Sequence, residues 1–88
     1  MTARSVKIQN ALGLHARAAA RFVQLAGTFD SQVRVTRGPR TTDGKSILGV
    51  LLLAAARGAE ISIGADGRDE TAAVEALCGL LERGLEDR

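Results

Sequence analysis

The chain contains one histidine, His15, and its neighbours make it the first candidate for chemistry. It lies in the segment Gly13-Leu14-His15-Ala16-Arg17, directly before a stretch with helical spacing of apolar residues. A helix start carries partial positive charge and backbone N–H groups that bind phosphate. Imidazole is a nucleophile near neutral pH, and the planar guanidinium of Arg17 matches phosphate oxygens. The segment therefore indicates that His15 accepts and releases a phosphoryl group, with Arg17 stabilising the phosphate.

A second candidate site is Ser46, in the segment Asp43-Gly44-Lys45-Ser46-Ile47. Serine is favoured at helix N-caps, and an apolar stretch follows, so we expect Ser46 to cap a short helix. The same hydroxyl is placed for phosphorylation, because a phosphate at a helix start is tolerated electrostatically. The residues alone leave open whether Ser46 is a cap only or also a modification site.

The elements that position these residues follow from the apolar periodicity. Strands are predicted at 5–9, 32–36 and 60–63, with a charged edge strand at 40–42. Helices are predicted at 16–29, at 46–53 and after Asp69, which can cap the last one. The inner face of that last helix is predicted to carry Val74, Leu77, Cys78, Leu81 and Leu85.

Each predicted strand buries only one side, which is typical of an antiparallel sheet. All helices must then cover the same sheet face. We therefore predict an α+β fold, an open-faced two-layer βαββαβα sandwich in which three helices cover one face of a four-stranded antiparallel sheet. The other face of the sheet is expected to lie open to water.

The short helix after Ser46 has no polar face. An apolar helix of this kind is usually buried, but in a one-sided sandwich part of it must stay exposed. An exposed apolar patch marks a partner surface, and we expect Leu48 and either Leu51 or Leu52 to be exposed. A tightly buried short helix is the alternative.

Length, charge and composition limit the function further. Eighty-eight residues predict one domain over 1–88 with a small core, which favours a carrier or regulatory domain over an enzyme with a deep pocket. Residues 1–50 carry a net charge of +6 and residues 51–88 a net charge of −4, so the first half can attract an acidic protein surface or nucleic acid. Nucleic acid is disfavoured, because Phe22 and Phe29 are the only aromatic residues.

The numbers of cysteines and histidines and the lengths of the apolar runs limit the possible metal sites, disulfides and membrane segments. One histidine and one cysteine make no metal cluster and no internal disulfide, and we expect neither a metal nor a cofactor. The sequence shows no apolar run of about 18 residues, and we expect no signal peptide. We therefore expect a cytoplasmic protein that does not insert into membranes.

Taken together, the two motifs resemble the histidine-containing phosphocarrier (HPr) family of the bacterial phosphoenolpyruvate-dependent phosphotransferase system. The segment 13–17 is similar to the active-site signature of that family, and the segment 43–50 is similar to its regulatory serine segment. The predicted element order is also that of the family, over residues 4 to 85. Most members have proline after the arginine, whereas this chain has Ala18; we expect a slightly looser His15 loop with transfer retained.

The resemblance implies a carrier and not an enzyme. Enzyme I, charged by phosphoenolpyruvate, would phosphorylate His15 on Nδ1, and the group would then pass to a histidine of an EIIA protein or domain. Ser46 would be the target of an ATP-dependent HPr kinase/phosphorylase. A shuttle that docks its partners in turn is expected to be a monomer. The docking residues would be Ala16, Ala20, Ile47, Leu48, Leu51 and Leu52.

Two other functions stay open at this point. One is a nitrogen-related (NPr-like) carrier that regulates without serving sugar uptake; the last helix is compatible with it, whereas the segment 44–47 favours the branch regulated at serine. The other is a small regulatory ligand-binding module with the ferredoxin-like order βαββαβ. This second alternative gives no reason for either motif.

Overall fold

A computed structural model describes residues 1–84 of the chain. Its elements are β1 (Thr2–Lys7), α1 (Ala16–Ala26), β2 (Gln32–Arg37), β3 (Arg40–Asp43), α2 (Ile47–Leu52), β4 (Glu60–Asp66) and α3 (Glu70–Glu82). The strands form one antiparallel sheet in the order β1-β4-β2-β3, so the charged strand β3 lies at an edge, as predicted. The predicted α+β fold is confirmed. None of the helices described is long and apolar enough to span a membrane.

The core lies between the sheet and the helices, and alternate strand residues point into it. Its sheet side is formed by Val6, Val33, Val35, Ile61, Ile63 and Ala65. Phe22 of α1 and Val50 of α2 pack into the same cluster. The predicted inner face of α3 is buried as far as Leu81, whereas Leu85 lies outside the described residues. Burial raises the pKa of the Cys78 thiol on this face.

Strand β1 starts at Thr2, three residues before the predicted start, and ends at Lys7. The early part was missed because the positions on the same face as Val6 are polar. The Thr2 hydroxyl donates to Glu70 at 2.6 Å, and Arg4 donates to Glu82 at 2.8 Å, both on α3. Polar pairs replace apolar burial at this margin of the sheet, and apolar alternation cannot detect them.

Two further boundaries differ from the prediction. Helix α1 ends at Ala26 with Gly27 as its C-cap, although Phe29 beyond it still packs against the core. Strand β4 continues to Asp66 and does not turn after Ile63, because its last residues pair with the start of β2.

Asp69 occupies the N-cap position of α3, as predicted. Its side chain, however, makes no capping hydrogen bond to that helix, so the predicted cap is wrong. The carboxylate accepts the N–H groups of Asp30 at 2.8 Å and Ser31 at 2.9 Å, together with the Ser31 hydroxyl. These hydrogen bonds, the one from the Ser31 hydroxyl foremost, lower the pKa of Asp69 to about 2. Asp69 therefore ties the start of α3 to the loop before β2.

Candidate functional site

His15 is the N-cap residue of α1, where the prediction places it. Its backbone is extended, its carbonyl accepts the first helical hydrogen bond from the Ala19 N–H at 2.8 Å, and its side chain is half-buried. The N–H groups of Ala16 and Ala18 precede that bond and have no acceptor within the helix. The imidazole thus lies at an end of the helix that favours anions.

The loop before His15 is held by backbone and side-chain hydrogen bonds. The Gly13 N–H donates to the Asn10 carbonyl at 3.1 Å, and the Asn10 amide donates back to the Gly13 carbonyl at 2.6 Å. The Leu14 N–H donates to the Ala55 carbonyl at 2.9 Å. Gly13 has φ +66°, and a Cβ there would collide with the Ala55 carbonyl oxygen, so this turn requires glycine.

His15 and Arg17 line the same open cleft, of about 460 Å³. Arg83, the C-cap residue of α3, lines it as well, next to Gly84. Two arginines and the histidine at the start of α1 therefore line one cavity. A phosphoryl group on the imidazole fits the charge and the hydrogen-bond donors of this cleft.

Ser46 is the N-cap residue of α2, and its hydroxyl accepts the Gly49 N–H at 3.1 Å. The predicted cap is confirmed. The side chain is half-buried, and Ile47 next to it is exposed. The adjacent Lys45 ammonium donates to the Phe29 carbonyl at 2.7 Å. Ser46 is not among the residues that line the His15 cleft.

Helix α2 exposes part of its apolar surface. Leu48 is 63 % exposed and Leu52 is 61 % exposed, and at a spacing of four residues they lie on one face of the helix. Ile47 is also exposed, whereas Leu51 is half-buried against the core. On α1, Ala16 is exposed and Ala20 is half-buried. We call Ile47, Leu48 and Leu52 the apolar patch.

Five residues that line the cleft were not predicted from the sequence: Asn10, Ala11, Leu12, Arg83 and Gly84. Leu12 is 76 % exposed beside His15, Asn10 holds the Gly13 turn, and Arg83 comes from the far end of the chain. Asparagine at the first position and glycine at the fourth position are typical of a β-turn, and this spacing could have identified Asn10. Nothing local in the sequence indicates that the end of α3 returns to His15.

Comparison with known proteins gives one family match and several close relatives. Residues 2–83 match the family model described as "PTS HPr component phosphorylation site". The phosphocarrier protein HPr of Cupriavidus necator is 49% identical over 81 residues, covering 92% of this chain and 91% of the relative. The phosphocarrier protein NPr of Shewanella violacea is 39% identical over 79 residues, covering 90% and 87%.

Solved structures give the same result. A crystal structure of HPr-C-His from Thermoanaerobacter tengcongensis has a TM-score of 0.95 at 38% identity, covering 100% of this chain and 99% of that one. A crystal structure described as an HPr dimer from the same organism has a TM-score of 0.79 at 38% identity, covering 99% and 100%.

Proposed function

Since the chain belongs to the HPr family of phosphocarriers of the phosphotransferase system, we propose that His15 is the residue that carries the phosphoryl group. The protein is a carrier and not an enzyme, and its partners are components of that system such as Enzyme I and EIIA. The observation that carries the assignment to His15 is its place at the start of α1, in one cleft with Arg17.

The transfer follows from this geometry. An imidazole nitrogen of His15 attacks phosphorus, and the bond between phosphorus and the donor histidine of Enzyme I breaks as the new P–N bond forms. The Arg17 guanidinium and the N–H groups at the start of α1 hold the phosphate oxygens. The cleft is open, so a second partner can reach the phosphohistidine from solvent. The reverse displacement then moves the group to a histidine of EIIA.

Incubation with phosphoenolpyruvate and Enzyme I tests this assignment. We expect one acid-labile, base-stable phosphate per chain. His15 is the only histidine, so a phosphohistidine identifies the site without further mapping. His15→Ala should remove the label while the circular dichroism spectrum stays unchanged, and Ser46→Ala should keep it. Equal labelling of His15→Ala would refute the assignment.

Ser46 is proposed as a second, regulatory phosphorylation site. Ser46 is half-buried and directly precedes Ile47 of the apolar patch, so a phosphate there would change the charge of the docking surface without unfolding α2. Incubation with ATP and the cognate HPr kinase/phosphorylase should label wild type and not Ser46→Ala. Ser46→Asp should slow transfer from Enzyme I. Equal rates for wild type and Ser46→Asp would contradict regulation and leave the carrier function intact.

We also propose that the carrier works as a cytoplasmic monomer whose docking residues are those of the apolar patch with Leu51, Ala16 and Ala20. Its small size and the exposure of Leu48 and Leu52 support docking of successive partners. Light scattering at assay concentration tests the oligomeric state. We expect the mass of one chain, and twice that mass would contradict the proposal. Leu48→Asp should weaken transfer from Enzyme I.

A nitrogen-related carrier is the second candidate, because the NPr of Shewanella violacea is among the relatives. It predicts preferential transfer to a nitrogen-regulatory EIIA and not to a sugar-transporting one. Parallel assays of the phosphorylated chain with the two EIIA types distinguish these functions. We propose the sugar-linked HPr function with serine control, since Ser46 caps α2 beside the apolar patch.

A further inference from the structure

The C-terminal end of α2 is held by two arginines from another part of the chain. The Arg40 guanidinium donates through Nη1 to the Leu52 carbonyl at 3.2 Å, and the Arg37 guanidinium donates through Nη1 to the Leu53 carbonyl at 3.0 Å. The two arginines are cross-strand partners at the end of the β2–β3 hairpin. Cationic donors at a helix C-terminus satisfy carbonyls that the helix leaves open and complement its dipole.

Helix α2 depends on such contacts because it is short. Six residues cannot sustain a helix in isolation, and the single side-chain cap at its start is the Ser46 hydroxyl. At its end the chain leaves through Ala54, at φ +52°, where glycine would be the usual residue. The residues at the end of α2 therefore provide few hydrogen-bond partners for its last carbonyls. Arg37 and Arg40 of the hairpin provide them.

The same end of α2 continues into the support of the His15 loop. Ala55 follows the left-handed Ala54, and its carbonyl accepts the Leu14 N–H at 2.9 Å. Leu14 is buried and directly precedes His15, so this hydrogen bond fixes the position of the backbone that carries the imidazole. A chain of contacts thus runs from the hairpin through the end of α2 to the phosphoryl site.

We propose that Arg37 and Arg40 are positioning residues of the carrier. They fix the end of α2, so that Leu48 and Leu52 are presented to a partner, and through Ala55 they hold the loop of His15. The inference rests on the proposed function in taking α2 as the docking helix and His15 as the acceptor. Preorganisation of this kind saves a partner the cost of ordering the surface when it binds.

Amide hydrogen exchange of the isolated protein tests the structural step. In the double variant Arg37→Gln/Arg40→Gln, exchange of the Leu14 N–H should accelerate about tenfold, the scale of one lost charge-assisted hydrogen bond. Exchange of the central-strand Ile63 should not change, which shows that the fold is kept. The matched control is Arg34→Gln. Arg34 lies on β2, like Arg37, but it is exposed on the open face of the sheet. Wild-type exchange at Leu14 in the double variant would overturn the proposal.

Steady-state transfer from Enzyme I tests the functional step. The double variant should raise KM for the carrier about tenfold while kcat stays within about twofold, because the partner restores the surface once bound. Arg37→Lys/Arg40→Lys, which keeps a cationic donor at each position, should recover most of the loss. Arg34→Gln removes one charge and the double variant removes two, so a rise in KM of about threefold for Arg34→Gln would reduce the effect to net charge and overturn the proposal. Absence of phosphorylation in the wild-type protein would refute the proposed function. The exchange rate of the Leu14 N–H in the double variant would still show whether Arg37 and Arg40 hold the His15 loop.

Discussion

At the residue scale, the proposed phosphoryl site depends on one imidazole and on the hydrogen-bond donors around it. In the proposed transfer His15 supplies the nucleophile, and the start of α1 supplies backbone N–H groups whose positions the helix fixes. Arg17 differs from them because its charge sits on a long side chain at the exposed mouth of the cleft. Its contribution to transfer should therefore appear when the phosphate forms.

Arg17→Ala should slow phosphoryl transfer from Enzyme I by roughly 10- to 100-fold, because a charge-assisted hydrogen bond is worth about 1.5–3 kcal/mol. Arg17→Lys should recover part of this, since lysine keeps the charge but lacks the planar fork. Single-turnover transfer with the three proteins measures the effect, and thermal unfolding checks that each of them is folded. Wild-type transfer by Arg17→Ala would show that the guanidinium does not contact the phosphate.

At the element scale, α2 combines the proposed docking surface with weak intrinsic stability. Its six residues are held by the Ser46 cap at one end and by Arg37 and Arg40 at the other. Gly49 brings the helix close to β3, because a Cβ there would collide with the Thr42 hydroxyl. The exposed Leu48 and Leu52 are thus presented by contacts made elsewhere on the same helix.

The cap predicts a measurable stability difference. Ser46→Ala should lower the free energy of unfolding by about 1 kcal/mol, because the Gly49 N–H loses its acceptor. Ser46→Asp should recover most of that stability, since aspartate also caps helices. Urea unfolding of the three proteins checks this. If Ser46→Asp were as unstable as Ser46→Ala, a negative group at this position would not be tolerated, and phosphorylation of Ser46 would disrupt α2.

Ala54 offers a second test at this scale. Among residues 1–84 it is the one non-glycine with positive φ, at +52°. Ala54→Gly should raise the free energy of unfolding by about 0.5–1 kcal/mol, because glycine removes the left-handed strain. Ala56→Gly, two residues on, is the control and should be neutral or destabilising. Destabilisation by Ala54→Gly would mean that the cost of glycine in the unfolded chain exceeds that strain.

At the scale of the whole molecule, the sequence predicted the parts that local chemistry determines. The helix start at His15, the Ser46 cap and the apolar faces follow from residue type and spacing, and so does the antiparallel sheet. The return of Arg83 to the His15 cleft and the capping of α2 by Arg37 were not predicted. Both are contacts between segments distant in sequence, and no periodicity in either segment indicates them. The misplaced start of β1 has the same cause, since Thr2 and Arg4 pair with α3.

One such long-range contact contributes to the response of the fold to acid. Asp69 joins α3 to the loop before β2, and its pKa in the folded protein is about 2, against an ordinary value of 3.8. Between those values the unfolded chain binds more protons, so the stability that the carboxylate contributes is complete above pH 4 and is lost as the pH falls toward 2. Glu70, whose pKa is also lowered to about 2 by the terminal ammonium and the Thr2 hydroxyl, adds to the same window.

Asp69→Asn should therefore lower the thermal midpoint at pH 7 and flatten its decline between pH 4 and pH 2. The decline that remains belongs to Glu70 and other carboxyls. Thermal unfolding across this pH range measures both effects, and Glu75→Gln is the control, an exposed carboxyl on the same helix. A wild-type acid profile in Asp69→Asn would mean that the tie between α3 and the β2 loop does not depend on the charge. An unchanged midpoint at pH 7 would mean that the amide replaces the carboxylate fully as an acceptor for Asp30 and Ser31.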